Sequence, residues 1–362
     1  MAQKNFIKEL RKKSKDRKVI LALAPMADVT DQVFRKMISK YSRPVGPDIF
    51  WTEFVSADGL ISQGRKALLH DLVFDKKKEY PILAQIFSSK KENILEAIKL
   101  THKLGFNGVD INMGCPDRSI EKQLSGSAMI KHPKLSKEIL SASRELINEI
   151  NKNKNKRLQN YFSFSVKTRL GYNKIEYETW FPIILDEQPD IFSIHLRTRK
   201  ELSLVPAHWE LSKDIVKFIK TYCEKNNLKT PIILLNGDVK SVKEAKEKTK
   251  ESGADGVMIG RGVFGRPWFF DEKEFEKRSD QNIETRKGKN NILFRLEVMK
   301  EHTKLFEKKL TKIKSFNIMK KHYKAYVNGF DGAKDLRNDL MNGKDYKEIK
   351  KIADEFIKNK LK

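Results

Sequence analysis

The feature that most constrains this chain is a regular alternation of eight short apolar runs with amphipathic stretches, spread over about 260 residues. The runs are "VILALAPM" (19–26), "DIFWTEF" (48–54), "PILAQIF" (81–87), "GVDINM" (108–113), "YFSFSVKTR" (161–169), "DIFSIHLRT" (190–198), "PIILLNGD" (231–238) and "GVMIGRG" (256–262). Runs of this length, rich in Val, Ile and Phe, read as buried strands. The intervening stretches carry helical spacing, as with Ile94, Leu95, Ile98 and Leu104 in 90–104, and Leu135, Ile139, Leu140, Leu146 and Ile147 in 134–150. Eight such units predict an α/β fold, a (β/α)8 TIM barrel over residues 19–270. A doubly wound open sheet is the competing arrangement of the same elements. Residues 1–18 read as a basic N-terminal extension, and "NKNKNKR" (151–157) as a polar insertion before the fifth strand, away from the strand C-termini.

After Phe270 the strand pattern stops. A charged linker over 271–285 leads to a helical tail, in which Leu296, Met299, Thr303, Phe306, Leu310 and Ile313 recur at spacings of three and four. Residues 286–362 hold about 22 Lys and Arg against about 10 Asp and Glu, so a small, basic, all-helical C-terminal domain is expected. The whole chain has a formal net charge of +26, a surplus that attracts polyanions. Nucleic acid is the natural partner, although codon bias that fills a solvated surface with lysine gives the same excess. No run of about 18 apolar residues occurs and the N-terminus lacks the apolar segment of a signal peptide, which places the protein in the cytoplasm. Two cysteines far apart, Cys115 and Cys223, offer no disulfide framework. A monomer without a bound metal is expected, since no zinc-type His/Cys spacing and no phosphate-binding P-loop occurs.

In such a barrel the reactive groups gather where strands end. The predicted strands end in "APMADVTD", Gln85, "NMGCP", "VKTRLGY", "IHLRTR", "NGD" and "GRGVFG". The last formally matches the G-x-G-x-x-G dinucleotide fingerprint, but the segment that follows, "RPWFFDEKEFEKR", contains no second strand. A phosphate grip by backbone N–H groups near Gly237 and Gly260, with Arg261 supplying charge, suits a barrel better. Lys167 stands at the mouth of strand five, where a cation stabilises a reduced flavin; a surface lysine is the plainer reading. His195, inside "FSIHL", is either a site residue or a hydrogen-bonded core histidine.

Cys115 sits between Gly114 and Pro116 in "INMGCPDRS" (111–119), at a strand's C-terminus beside Asn112. An inert buried cysteine is the ordinary alternative. A nucleophile needs a lowered pKa and a paired base, and no histidine adjoins it in sequence. A neutral thiol with a pKa near about 8.5 is protonated at neutral pH and can donate, so general acid is the preferred role.

At these residues the chain resembles the tRNA-dihydrouridine synthases, flavoenzymes that reduce the C5–C6 double bond of uridine in tRNA with NADPH. The resemblance runs through "APMADVTDQVFR", "DINMGCPDRSIEKQLSGSAM", "VKTRLGY", "IHLRTR", "NGDV" and "GVMIGRGVFGRPW", and into the tail at "KKHYKAYVNGFDGAKDLRNDL". It implies that Pro25, Met26 and Ala27 line FMN, that Gln85 bonds the ring edge, and that Lys167 sits at the ring's pyrimidine side with His195 nearby. It gives the ribityl phosphate arm to Asn236, Gly237, Asp238, Gly260 and Arg261. Cys115 corresponds to the family's proton donor. Asn112, Arg169 and Arg197 are assigned to the substrate base, and Lys320, Lys321, His322, Lys324 and Arg337 to the RNA backbone. The implied chemistry passes hydride from NADPH through FMN to uracil C6, with Cys115 protonating C5 of a flipped base. The segment "KELSLVPAHWE" departs from the family's usual continuation after "IHLRTR", which bears on which uridine is chosen. Two competitors are an FMN barrel acting on a small pyrimidine and a non-catalytic RNA-binding barrel.

Overall fold

The computed structural model describes residues 5–152 and 161–361. All eight expected strands form: β1 Ile20–Leu23, β2 Phe50–Ser56, β3 Ile82–Phe87, β4 Gly108–Met113, β5 Ser163–Arg169, β6 Ile191–His195, β7 Ile232–Asn236 and β8 Gly256–Ile259. Every ladder is parallel, in the order β1-β8-β7-β6-β5-β4-β3-β2. The ring closes between β1 and β2, where Leu23 N donates to Ile49 O at 3.1 Å and Asp48 N to Leu21 O at 2.7 Å. A closed parallel ring leaves no open sheet edge, which decides for the TIM barrel over the doubly wound sheet. Of the 151–157 insertion, Asn151 and Lys152 close the helix Pro133–Lys152, and 153–157 lie outside the described residues.

Alternation along the strands sorts the barrel interior from floor to mouth. Leu83 is followed two residues on by Gln85, Ile191 by Ser193 and His195, Leu234 by Asn236, and Ser163 by Ser165 and Lys167. The inward face is therefore mostly apolar where the strands begin, with Ser163 of β5 the exception among these four, and polar where they end. Ile20, Ala22, Trp51, Leu83, Ile191, Ile232, Leu234 and Met258 form the apolar cluster. Phe6, Ile7 and Leu10 join it from the helix Phe6–Lys15, inside what the sequence suggests is only a charged extension. Burying Phe6 and Ile7 is worth about 1.5–3 kcal/mol each. Arg11 NH2 donates to Thr230 O at 2.9 Å and Lys13 pairs with Asp48 at 2.5 Å, holding this helix in register.

The chain divides into two compact units, Met1–Met26 with Pro47–Gly260, and Ala27–Gly46 with Arg261–Lys362. The second unit thus takes in the helix Gln32–Tyr41, which follows β1 in sequence. Within that unit Lys40 and Tyr41 both bond Glu301, at 2.6 and 2.5 Å, and Ser42 Oγ donates to Pro267 O at 2.6 Å. Its long helix, Arg286–Leu310, buries Leu296, Met299, Thr303, Phe306 and Leu310 as the spacing predicts. Ile313 falls beyond the helix end and is half exposed. The expected linker carries a short helix of its own, Glu272–Lys277.

At the centre of the second unit the rings of His302 and His322 stand 4.5 Å apart, with Phe34 4.9 Å and Phe264 6.2 Å from His322. Burial among aromatic rings penalises the imidazolium, so His322 is pulled down to about 3 and His302 falls well below its usual value. Unfolded histidines bind protons below about pH 6.5 while these do not, so the unit is fully stabilised above that pH. For His322 stability is lost as pH falls toward 3, by about 1.4 kcal/mol per pH unit, and His302 acts in the same direction. His322→Phe removes one of the two and moves the midpoint of acid unfolding, followed by circular dichroism, to lower pH; an unmoved midpoint contradicts this.

Candidate active site at the barrel mouth

The backbone leaves β4 through Gly114–Cys115–Pro116, and three side chains hold that turn. Asn112 Oδ1 accepts from Gly114 N at 3.0 Å and from Cys115 N at 2.9 Å. Arg169 Nε donates to Gly114 O at 2.7 Å. Ser127 donates to Cys115 O through both its backbone N, at 2.9 Å, and its Oγ, at 2.8 Å. Gly126 has φ +62°, and a Cβ there would stand 2.7 Å from Cys115 O, so the carbonyl is hemmed in on that side as well. The Cys115 thiol is free and half-buried. Burial pushes its pKa up, against a smaller opposing hydrogen bond from the Asp117 N–H. It is therefore held as the protonated thiol at neutral pH.

Beneath the turn lies a polar layer on β3, β4 and β5. Gln85 Nε2 donates to Asp110 Oδ2 at 2.6 Å, Ser165 Oγ to Asp110 Oδ1 at 2.5 Å, and Asn112 Nδ2 to Gln85 Oε1 at 3.0 Å. Asp110 is fully buried; desolvation lifts it to about 6 against its hydrogen bonds and the Lys167 charge. Desolvation likewise pulls half-buried Lys167 down to about 8, Arg169 adding to the effect and Asp110 opposing it. Among the described residues no hydrogen bond or salt bridge reaches the Lys167 ammonium. Beside it in register is Ser193, whose buried hydroxyl has no partner among the described residues. Asp110, Ser165 and Ser193 are absent from the residues expected on sequence grounds. Their signal is period two: polar residues on the inward face of otherwise apolar strands.

The ends of β6 and β7 are joined by Arg197, which is 1 % exposed. Its Nε donates to Val205 O at 2.7 Å, its NH1 meets His195 Nε2 at 3.0 Å, and its NH2 pairs with Asp238. A guanidinium only donates, so His195 Nε2 is the acceptor and the ring proton sits on Nδ1. Asp238 Oδ2 also accepts from Ala207 N at 2.9 Å. At Gly237 (φ +145°) a Cβ would collide with Ala207 Cβ at 2.5 Å, while Trp209 Nε1 holds the Gly237 carbonyl at 2.8 Å. Asn236 Nδ2 ties β7 to β8 through Met258 O at 2.7 Å. Past β8, a Cβ on Gly260 would meet Met26 Sδ only at 3.6 Å, so this glycine leaves room rather than relieving a clash.

Several expected site residues therefore have work inside the protein. Arg169 and Arg197, assigned to substrate from sequence, spend their donors on carbonyls, on His195 and on Asp238; Arg169 NH1 reaches both Thr198 O and Leu202 O at 3.0 Å. The segment that departs from the family pattern is pinned by these bonds, by Arg199 on Glu121 and by Glu201 on His208. Pro25 and Met26 are half-buried after β1. Ala27 and Arg261 belong to the second unit, as do the five residues assigned to RNA backbone. Of those five, Lys321 and Lys324 are exposed and Lys320 half-buried, whereas His322 is buried and Arg337 donates to Val327 O at 2.9 Å. His322 is thus unavailable to a phosphate. No group of three or more potential metal ligands, and no helix long and apolar enough to cross a membrane, occurs among the described residues.

The chain is similar to known proteins. The dihydrouridine synthase (Dus) family model matches residues 22–362. A "Probable tRNA-dihydrouridine synthase" of Staphylococcus aureus is 36 % identical over 337 residues, 92 % of each chain. "Probable tRNA-dihydrouridine synthase 2" of Bacillus subtilis is 32 % identical over 340 residues, 94 % of each. Among solved structures, morphinone reductase in complex with tetrahydroNAD aligns with a TM-score of 0.45 at 11 % identity, over 71 % of this chain and 86 % of that one. With its family model spanning the barrel and the helical tail alike, the chain belongs to the dihydrouridine synthase family.

Proposed function

We propose that this protein reduces the C5–C6 double bond of uridine in tRNA to 5,6-dihydrouridine, with FMN as resident cofactor, NADPH as reductant and Cys115 as proton donor. The observation that carries the reading is the Cys115 thiol, held neutral by burial and fixed at the barrel mouth by Asn112, Arg169 and Ser127. The names of the relatives supply the substrate class.

The residues present fit a flavin. An ammonium without a hydrogen-bond partner among the described residues, an orphaned buried hydroxyl on Ser193, and a Cβ-free gap at Gly260 converge on the polar end of the barrel. Pro25, Met26, Gln85, Lys167 and His195 would flank the ring system; Asn236, Gly237 and Gly260 would hold the phosphate arm. Asp238 serves that arm through its backbone, because its carboxylate is neutralised by Arg197. FMN bound there supplies hydride transfer. The chain's own residues do the rest. Lys167 would offer positive charge to the ring system from a half-buried position, where partial desolvation strengthens it. His195, its Nε2 taken by Arg197, carries its ring proton on Nδ1. The Cys115 Sγ–H proton goes to uracil C5 while C6 takes the hydride, which accounts for both atoms added. Arg169 and Arg197 act as positioning residues for the loops rather than as ligands of the base.

The basic second unit serves as the tRNA-binding module, through exposed lysines such as Lys321 and Lys324. The barrel unit is the catalytic one. Both run in a compartment where free thiols persist, consistent with a cytoplasmic enzyme.

Cys115→Ala is expected to slow single-turnover dihydrouridine formation by about 10²–10⁴-fold while keeping flavin content and tRNA affinity. Unchanged turnover, read by mass spectrometry of digested tRNA, contradicts the general-acid role. Lys321→Gln together with Lys324→Gln weakens tRNA binding and flattens its salt dependence by about one unit of slope for each phosphate no longer neutralised. An unchanged slope shows that these lysines do not face RNA.

A further inference from the structure

A carboxamide has two nearly isosteric orientations, and its neighbours choose between them. Two carboxamides stand in series here. Gln85 aims its NH2 at Asp110 Oδ2 and so turns its carbonyl to Asn112. Asn112, its own NH2 committed to that carbonyl, presents Oδ1 to the amides of Gly114 and Cys115. Reversing either amide would set Asn112 Nδ2 against two N–H donors and abolish both bonds to the turn. The polarity of the series is set from both ends: the two backbone amides select Asn112 Oδ1, and the group at the far end that selects Gln85 Nε2 is a carboxylate. When ionised it only accepts, so it permits one orientation of Gln85 and through it one of Asn112. The second oxygen of Asp110 is anchored by Ser165 Oγ at 2.5 Å, which keeps the carboxylate from turning away.

We infer that Asp110 is a positioning residue for the reaction, acting on the Cys115 turn through Gln85 and Asn112. The inference rests on the reading of Cys115 as proton donor for its functional meaning, but its physical content is independent of flavin and RNA. What Asp110 supplies is an acceptor at the end of the series. A residue of similar size that cannot accept removes the bond that aims Gln85, and Asn112 is then no longer held in place by the Gln85 carbonyl. The Gly114–Cys115 turn then loses its two inner bonds and the thiol opens to solvent. Burial of a charge is costly, and an apolar residue at this inward position would pack as Leu83 does on β3 and Ile191 on β6. That cost is explained if the series needs a fixed polarity.

The test is the rate at which iodoacetamide alkylates Cys115 in the folded holoenzyme, followed by mass spectrometry of the Cys115 peptide with buried Cys223 as internal reference. Asp110→Leu is expected to raise the rate about tenfold, as is Asn112→Ala, and the double variant no further, because both cut one series. Asp110→Asn, which still offers an acceptor oxygen, stays within about twofold of the parent. An additive, roughly hundredfold effect in the double variant overturns the inference. So does an Asp110→Asn protein as reactive as Asp110→Leu, which would make Asp110 a counter-ion of Lys167 instead. If Asp110→Leu does not fold, Gln85→Leu cuts the series in its middle and must match Asn112→Ala; a parent-like rate there overturns the inference. Alkylation that changes as expected in a protein making no dihydrouridine supports the role of Asp110 and overturns the proposed function.

Discussion

Two backbone amides, those of Gly114 and Cys115, donate to one side-chain oxygen, Asn112 Oδ1, and the chemistry proposed for this barrel depends on that pair of bonds. They make the chain turn sharply at the end of β4, so that a thiol stands at the mouth. Everything around them either supports the turn or uses it. Arg169 grips Gly114 from β5 and carries the same guanidinium to Thr198 and Leu202, joining the turn to the loop after β6. Arg197 continues the chain of contacts from that loop to Asp238 after β7. The mouth is thus a rim of loops stitched by two buried guanidinium groups, Arg169 on three carbonyls and Arg197 on one carbonyl, His195 and Asp238, in the planar fork geometry that lysine cannot reproduce.

The site keeps charges where hydrophobic packing would be cheaper. Asp110 is buried and Lys167 half-buried, and each is drawn toward neutrality by desolvation, to about 6 and about 8. Opposite charges this close soften the cost for one another, yet neither is needed to close the barrel: the apolar cluster from Phe6 to Met258 does that at the other end. Division of the interior into an apolar floor and a charged mouth lets one fold be stable and reactive at once.

Much of this is legible in the sequence because strand periodicity is local. The eight apolar runs need only their own composition to be read, and "NMGCP" announces its turn through Gly and Pro. What stays hidden depends on partners distant in sequence. Phe6, Ile7 and Leu10 look like isolated apolar residues in a lysine-rich stretch until the barrel floor covers them. His322, surrounded by lysines in sequence, turns inward onto Phe34 and His302. Arg169 and Arg197 carry the right chemistry for a substrate, and only the carbonyls of the loops that follow reveal where their donors go. Asp110 escapes notice for the opposite reason: a single acid inside "VDINM" is weak evidence until Gln85 and Ser165 are found upon it.

The central claim is that the Cys115 thiol, rather than its thiolate, does the chemistry. Alkylation needs the thiolate and proton donation needs the thiol, so one ionisation should govern both with opposite sense. The decisive measurement is the pH dependence of Cys115 alkylation beside that of single-turnover dihydrouridine formation in the same protein. Alkylation is expected to rise and turnover to fall through a shared inflection above the ordinary thiol range, as burial of Cys115 requires. Turnover that rises with alkylation, or an inflection below the ordinary thiol value, would contradict the claim.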